Sequence, residues 1–410
     1  DNVQLREAND EDRARWEKGK RPFDYVPPPY PGVEDTSPWG CCGSLQGYAD
    51  RLGIPLEVEA ALVARRWADF GFDTSLVAGG LVRAPGSAEA EDRLGRLLDL
   101  NQQYDLRVLP STYLTGYYDR KVPREECEAA ITRVVTRFRD HPALLAWWMI
   151  DEPMPNLDEI ENQWIWGKQR FEALDPKHPA LGSFCTAGSV SAYSQYTQVS
   201  VIDCYPLTQV EGKPQGDPME VARWCELAWR RGARRIWAVQ QAFGELGSWR
   251  LPTRAELRLM SYLFLSRGTS GFVPYYYSME PAWMTGTGHN GLTDLFGAPT
   301  HLGDELKDLA DTIMPLCPLM LPVRRQDAPA GAPLRAHVEC EEDQRGRPVL
   351  DVGFLAGQPG PDDYDLVVVC NLDVSGPRSG KLSVTQEEGR SLSDMRRLRL
   401  SSIEPLEVTD

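Results

Sequence analysis

Many motifs that mark common protein classes are missing from this chain of 410 residues. No apolar run reaches the roughly 20 residues that a membrane-spanning helix needs, and the longest, residues 313–323, contains three prolines. No GxGxxG motif follows the first predicted strand, and neither a P-loop nor a GxSxG elbow is present. The sequence therefore gives no support for a Rossmann nucleotide site or an α/β-hydrolase serine, and it predicts no membrane partner.

The histidines and cysteines lack the spacing of metal sites. The five histidines are scattered without HxH or HExxH spacing, and none of the nine cysteines belongs to a CxxC pair. No metal and no cofactor are therefore expected. The net charge of −16 is the opposite of the basic excess that a nucleic-acid-binding protein shows, so nucleic acid is not an expected partner.

The pattern of the sequence divides the chain into three parts. Residues 1–36 form a lead-in that contains "DYVPPPYPG", whose consecutive prolines favour an extended segment packed on the surface. Residues 37–320 alternate short apolar runs with stretches of 3.6-residue periodicity, which is typical of parallel strands and crossover helices. Residues 321–410 hold short strands separated by turn residues, which predicts an antiparallel β-sandwich.

Eight strand-like runs occur in the middle part. They span residues 38–43, 72–78, 106–112, 144–151, 179–185, 199–206, 235–243 and 271–277. Eight strand–helix units in about 280 residues match the count and size of a (β/α)8 TIM barrel. The predicted fold class is therefore α/β, a TIM barrel followed by a C-terminal antiparallel β-sandwich. A doubly wound open sheet is the alternative.

The fourth strand-like run, in "AWWMIDEPMP", ends in two adjacent carboxylates, Asp151 and Glu152. Chemistry in a TIM barrel takes place at the C-terminal ends of the strands. Because neighbouring side chains of a strand point to opposite faces, a Glu152 in the mouth implies that Asp151 faces the helices, unless the strand has already turned. Capping of the next helix by one of the two carboxylates is the competing interpretation.

The segment "RFRDHPALLAWWMIDEP" resembles the fourth strand of clan-A-like glycoside hydrolases, which ends in the acid/base carboxylate. "FGFDTSLV", "VIDCYPL" and "RRIWAVQQAFGE" are similar to the second, sixth and seventh strands of such barrels, and "YDLVVVCNLD" is similar to their C-terminal β-domains. The resemblance implies cleavage of an O-glycosidic bond in an oligo- or polysaccharide, with Glu152 as general acid/base. The apolar Trp147, Trp148 and Met149 nearby are expected to raise the pKa of Glu152 by disfavouring its charged form.

The seventh strand departs from the pattern of this family, which places a nucleophilic Glu at its end. The present chain has Gln240 and Gln241 there. A glutamine side chain cannot supply the carboxylate that serves as nucleophile or base at this position. The usual retaining pair of carboxylates is therefore missing from its usual place.

Other acids are available as the partner of Glu152. Asp203, at the end of the sixth run, is the first choice, and Glu245, in the loop after the seventh, is the second. Glu280 and Asp294 follow the eighth run and are further alternatives. Carboxyl groups about 6.5–9.5 Å apart would predict inversion and about 5–5.5 Å retention. The wider separation suits Glu152 with Asp203, because their strands are not adjacent.

Three other interpretations remain open. The adjacent Asp-Glu pair also resembles that of barrel hexosaminidases, in which the substrate's own acetamido group attacks. Asp151 would then orient this group and Glu152 would be the acid, which would explain the missing nucleophile. A barrel that binds carbohydrate without cleaving it, and different chemistry in a similar barrel, are the remaining alternatives.

Aromatic residues recur near the predicted C-terminal strand ends, where their planes can stack on the apolar faces of sugar rings. The predicted substrate-binding residues are Trp39, Tyr113, Trp148, Asp151, Tyr205, Gln240, Gln241, Tyr276, Tyr277 and Trp283. The two glutamines are expected to bind sugar hydroxyls, and Tyr205 to orient Asp203. For any single aromatic residue, core packing is an equally good interpretation, and the sequence does not indicate an oligomeric state.

Overall fold

The computed structural model describes residues 23, 25–43, 53–77, 88–112, 122–156, 159–279, 288–294, 297–324, 336–357, 364–384, 396–399 and 402–405. Eight short parallel strands alternate with helices in its first three quarters. The strands are β1 (Gly40–Gly43), β2 (Thr74–Val77), β3 (Arg107–Pro110), β4 (Trp147–Asp151), β5 (Ala180–Phe184), β6 (Ser200–Cys204), β7 (Ile236–Gln240) and β8 (Thr269–Phe272). The first seven lie inside the runs expected from the sequence, and β8 overlaps the eighth run only at residues 271–272, because this strand begins two residues earlier. An α/β fold with parallel strands is thereby confirmed.

The strands pair in chain order. β1, β2 and β3 form one parallel sheet, and β4 to β8 form a second. Isolated parallel bridges link the two sheets at both edges, where Trp39 pairs with Phe272 beside β1 and β8, and Val108 of β3 pairs with Leu144 before β4. The C-terminal ends of β4, β5, β6 and β7 therefore lie side by side.

Helices precede, connect and follow the strands. They are α1 (Pro31–Glu34), α2 (Leu56–Asp69), α3 (Ala88–Gln102), α4 (Arg124–Phe138), α5 (Trp166–Leu174), α6 (Ala187–Tyr193), α7 (Met219–Arg230), α8 (Arg254–Leu265) and α9 (His301–Ile313). A π-helical turn, Ile160–Ile165, leads into α5. Helix α8 starts at a capping box in which Thr253 and Glu256 satisfy each other's backbone N–H groups. Within the described ranges, no helix is both long and apolar enough to cross a bilayer.

The two faces of the strands belong to separate clusters of buried residues. One face packs with the helices, as Ile202 of β6 and Ala238 of β7 do with Leu263 of α8. The other face contributes a second cluster that includes Leu109, Val201 and Val239, among others. Alternate residues of each strand thus enter different clusters, as the two-residue period of a strand requires.

The lead-in segment reaches the second cluster. Tyr30 and Val33 are only 3% and 1% exposed and pack within it. Arg234 donates to the Pro27 carbonyl and Arg235 to the Glu34 carbonyl, so the residues after β6 hold the segment in place. The expectation of a segment packed only on the surface is therefore wrong for residues 30–33, because two apolar side chains there gain burial inside the fold.

The last part of the described chain consists of antiparallel pairs. Val323–Arg324, Leu350–Gly357 and Leu366–Asn371 form one sheet, Ala336–Cys340 pairs with Gly380–Val384, and Arg396–Arg399 pairs with Ser402–Pro405. The antiparallel expectation is confirmed, whereas the sandwich and the boundaries at residues 36 and 320 stay predictions. Arg267, after α8, anchors this part through ion pairs with Asp351 and with Glu226 of α7.

Candidate functional site

A bulge in β4 decides where the two adjacent carboxylates point. Trp148 pairs with Leu181 of β5, but the next pair joins Ile150 to Gly182, so the register shifts by one residue. Gly182 permits this close approach, because a Cβ there would overlap the Ile150 carbonyl oxygen. The extra residue reverses the alternation of side chains beyond it. Asp151 therefore lies on the same face as Trp148.

Two donors hold the Asp151 carboxylate in this position. The Ser183 hydroxyl donates to Asp151 Oδ1 at 2.6 Å, and the Trp148 indole Nε1 donates to the same oxygen at 3.3 Å. Burial raises the pKa of Asp151, while these two hydrogen bonds oppose the rise. Regular alternation would have turned Asp151 towards the helices, and the bulge, which was not visible in the sequence, keeps it on the other face.

Glu152 follows directly and leaves the strand through a left-handed backbone conformation, with φ of 49°. This conformation costs a residue with a side chain about 1–2 kcal/mol. The residue is exposed, yet its carboxyl group lies near Asp151 and Cys185. Partial burial and the charge of Asp151 raise the pKa of Glu152, against a hydrogen bond from the Cys185 thiol. The carboxyl groups of Glu152 and Asp151 thus belong to one cluster, although adjacent side chains of a regular strand point to opposite faces.

Asp203 brings a third carboxyl group from the end of β6. Its side chain is buried, and its Oδ1 has no hydrogen-bond partner among the described residues. Burial, followed by the charges of Glu152 and Asp151, raises the pKa of Asp203 well above its usual range. The Tyr205 hydroxyl opposes this rise, and the Ser183 hydroxyl lies nearby. The structure therefore places Glu152 close enough to Asp203 for its charge to disfavour the ionised form of Asp203.

Tyr205 connects this cluster to a group of aromatic rings. Its hydroxyl bonds to Asp203, and burial together with the charge of Asp203 raises the pKa of Tyr205 well above normal. Its ring lies 4.9 Å from Phe243 in an edge-on arrangement and 5.7 Å from Tyr275 in a stacked one, measured between centroids. Trp249 packs against the same ring at 6.1 Å. Tyr205 is thus half-buried beside Asp203, and its role in orienting this carboxyl group stays a prediction.

Glu245 occupies a different position. It lies in a short antiparallel pair, in which Glu245 faces His289 and Gly244 faces Asn290. Its carboxylate is 3.5 Å from His289 Nε2. No hydrogen bond or ion pair within the described residues joins Glu245 to Asp203. The alternative acid Asp294 accepts a hydrogen bond from the Ala298 backbone, and Glu280 lies outside the described residues.

The two glutamines do not face a sugar site. Gln240 is fully buried and donates to the Leu257 carbonyl and to Ser261 of α8. Gln241 is also fully buried, accepts from the Leu207 N–H and donates to nearby carbonyls. The prediction that they bind sugar hydroxyls is wrong, because the backbone and α8 already satisfy their amides.

Most of the predicted stacking residues are core residues. Trp39 is 1% exposed and packs between Phe72 and Phe272. Trp148, Tyr276 and Tyr277 are 2–3% exposed. These four cannot present a ring face to a ligand as the structure stands, so their prediction is wrong. Tyr113 and Trp283 were also predicted to bind substrate, and both lie outside the described residues.

Sequence reasoning missed several residues of the cluster. Ser183 and Cys185 lie at the end of β5, between the strands of Asp151 and Asp203. Cys42 of β1 lies near Asp151 and Asp203, and its burial, followed by the charges of these acids, raises the pKa of its thiol. The alternation of "ALGSFC" places Ser183 and Cys185 on one face and could have identified them. Among the described residues, no group of three or more His, Cys, Asp or Glu is arranged to hold a metal ion.

No protein-family model matches this chain, and no curated protein matches it in sequence. Solved structures match in fold. A β-galactosidase from the psychrophilic Marinomonas ef1 has a TM-score of 0.56 at 14% identity, over 70% of this chain and 62% of that chain. A GH5_18 protein from Bifidobacterium longum subsp. infantis has a TM-score of 0.51 at 14% identity, over 76% and 84%. A GH5_18 protein from Streptomyces cattleya, in complex with GlcNAc, has a TM-score of 0.50 at 13% identity, over 73% and 82%.

The present chain thus spans less than two thirds of the β-galactosidase. At these identities the likeness concerns the fold. The chain has a fold similar to that of solved glycoside hydrolases.

Proposed function

We propose that this protein is a glycoside hydrolase with Glu152 as its general acid/base. The observation that carries the proposal is the convergence of three carboxyl groups, from the ends of β4 and β6, beside a group of aromatic rings. Hydrolysis of a glycosidic bond needs one carboxylic acid to protonate the leaving oxygen and a second carboxylate across the bond. We also propose that the eight parallel strands close into a (β/α)8 barrel, since bridges join both edges of the two sheets.

Glu152 suits the role of acid for two reasons. It is the exposed member of the three, so a substrate can reach its carboxyl group. Its raised pKa favours the protonated form that an acid needs before the reaction. A left-handed backbone at Glu152 fits this role too, since such strain is concentrated at active sites.

Asp203 is the proposed partner in a direct displacement. β4 and β6 are separated by β5, so their axes are two strand spacings, or about 10 Å, apart. This spacing leaves room for a water molecule and suits inversion. Asp203 must lose its proton to act as base or nucleophile, and its buried position opposes that loss. Glu245 remains the second choice of partner.

Substrate-assisted hydrolysis is a second candidate, and the bulge in β4 favours it. Asp151 faces the same cluster as Glu152, which this mechanism requires. The two donors from Ser183 and Trp148 support an ionised Asp151 that could orient an acetamido N–H. In this mechanism the acetamido group of the substrate is the nucleophile, so the protein needs no carboxylate at position 241.

Kinetics with a broad panel of aryl glycosides tests both candidates. The panel pairs each 2-acetamido sugar with its 2-hydroxy counterpart. Glu152→Gln is expected to lower kcat by about 100-fold or more, the usual contribution of a general acid. The same change at exposed Glu161 is the matched control and should leave kcat unaltered.

The partner is identified by two further variants. Selective loss in Asp151→Asn with 2-acetamido substrates supports substrate assistance, and selective loss in Asp203→Asn with 2-hydroxy substrates supports displacement. Equal and near-zero rates for wild type and Glu152→Gln over the whole panel would refute the hydrolase and leave a carbohydrate-binding protein.

A further inference from the structure

We propose that the Ser183 hydroxyl bridges Asp151 and Asp203 and thereby fixes the position of a proton, which Asp203 holds while Asp151 is ionised. Ser183 is then a positioning residue for the reaction. The role of Ser183 in catalysis rests on the proposed glycosidase function. The location of the proton does not, because it concerns the free protein.

The strand order places Ser183 between the two acids. β5 lies between β4 and β6 in the sheet. Ser183 is the register partner of Asp151 on one side and of Val201, two residues before Asp203, on the other. Its side chain is fully buried and donates to Asp151 Oδ1 at 2.6 Å. The strand order places the same hydroxyl beside Asp203, on the face of the sheet that the two acids share.

The number of hydrogen-bond donors available to Asp151 and to Asp203 indicates which of the two acids is charged. A serine hydroxyl has one proton to donate, and in the structure that proton goes to Asp151. Asp151 also receives the Trp148 N–H. An ionised Asp203 would be left with the Tyr205 hydroxyl and an Oδ1 that no described residue contacts. A protonated Asp203 can instead donate to the lone pair of Ser183 and complete the chain Asp203–Ser183–Asp151.

The surroundings of Asp203 agree with this assignment. The titratable groups that face the pair from neighbouring elements are Glu152, Cys185, Tyr205 and Cys42. Each is an acid, so none supplies a positive charge. Within the described residues, no ion pair includes Asp203. Two buried carboxyl groups this close cannot both be ionised without a large desolvation cost.

This proton position assigns roles in the reaction. Asp151 is the carboxylate that can accept a proton or orient an N–H group of the substrate. Asp203 acts as a hydrogen-bond donor that keeps Ser183, and through it Asp151, in place. The inference therefore favours the substrate-assisted candidate over direct displacement by Asp203.

Infrared spectroscopy of the substrate-free protein, labelled with 13C at the aspartate carboxyl carbons, tests the inference. Wild type at pH 7 is expected to show the carbonyl stretch of a protonated aspartic acid, and Asp203→Asn should remove it. Ser183→Ala should shift its frequency and its titration midpoint, because the acid loses its acceptor. Ser194→Ala is the control, since Ser194 is equally buried but donates to the Val190 carbonyl.

The spectra of wild type, Asp203→Asn and Ser183→Ala each have a result that would overturn the inference. The absence of the band in wild type, its persistence in Asp203→Asn, or an unchanged frequency and midpoint in Ser183→Ala would overturn the inference. The wild-type and Asp203→Asn spectra decide it even when Ser183→Ala does not fold. In kinetics, Ser183→Ala should displace the pH profile of kcat and Ser194→Ala should not. A protein that shows the band but cleaves no glycoside would refute the proposed function alone.

Discussion

Gln241→Glu places a carboxylate where the resemblance to clan-A-like glycoside hydrolases implies a nucleophile, and the structure predicts that it damages the fold without creating activity. Gln241 Nε2 donates to the carbonyls of Leu207, Phe243 and Arg250, at 3.0, 3.4 and 3.2 Å. A carboxylate has no proton to give to them. Each buried carbonyl left unpaired costs about 1–3 kcal/mol. Because an amide has two N–H groups, we expect a loss of about 3–5 kcal/mol in the free energy of unfolding at pH 7.

The loss should depend on pH. Burial against carbonyl oxygens raises the pKa of the introduced carboxyl group in the folded state above its unfolded value of about 4.3. The variant should therefore keep its free energy of unfolding below about pH 4, where the introduced carboxyl group is neutral. This free energy should fall as the pH rises towards the folded pKa. Urea unfolding followed by circular dichroism at pH 4 and pH 7 measures the difference.

The exposed Gln215 provides the matched control. Gln215→Glu makes the same chemical change in water and should alter the free energy of unfolding by less than about 0.5 kcal/mol. A Gln241→Glu protein as stable as wild type at pH 7 would refute the structural role of this amide. A gain in glycosidase activity would show that the side chain faces the substrate.

Three further predictions concern the domain contact and the acid. Arg267→Met leaves the largely buried Asp351 without its partner and should cost about 3 kcal/mol in the free energy of unfolding, measured by denaturant titration. Gly353→Ala forces a Cβ into a backbone carbonyl and should cost about 2 kcal/mol, whereas Gly376→Ala, with open space around it, should cost less than about 0.5 kcal/mol. The kcat/KM for glycosides should fall as the pH rises through the raised pKa of Glu152, because only the protonated acid donates; a flat profile from pH 4 to 9 would contradict this.

Periodicity was sufficient to predict the strands and the position of Asp203. Asp203 was chosen because it ends the sixth run, and since β6 is a regular strand, Asp203 lies on the same face as Val201, away from the helices. The same rule failed at Asp151 because one extra residue in β4 reverses it. A bulge depends on the partner strand, here on the small Gly182 opposite Ile150, and a single strand's sequence does not reveal it.

The side-chain roles at strand ends were harder to predict. Gln240 and Trp39 belong to runs that end near the expected site, but their contacts are with Ser261 and with Phe72 and Phe272. Those partners come from distant parts of the chain, and only the fold brings them together. Residue type and position along a strand therefore brought forward the three clustered acids, together with Glu245, which lies elsewhere, and did not show which neutral residues face them.

The most direct test of the account is the dependence of kcat/KM on the leaving group. Aryl glycosides with leaving groups of graded basicity are compared in wild type and Glu152→Gln. If Glu152 protonates the leaving oxygen, the variant should lose about 100-fold or more with the most basic leaving groups and little with the least basic, since the latter depart without a proton. An equal loss across the series, or no loss, would contradict the assignment of Glu152 as the acid.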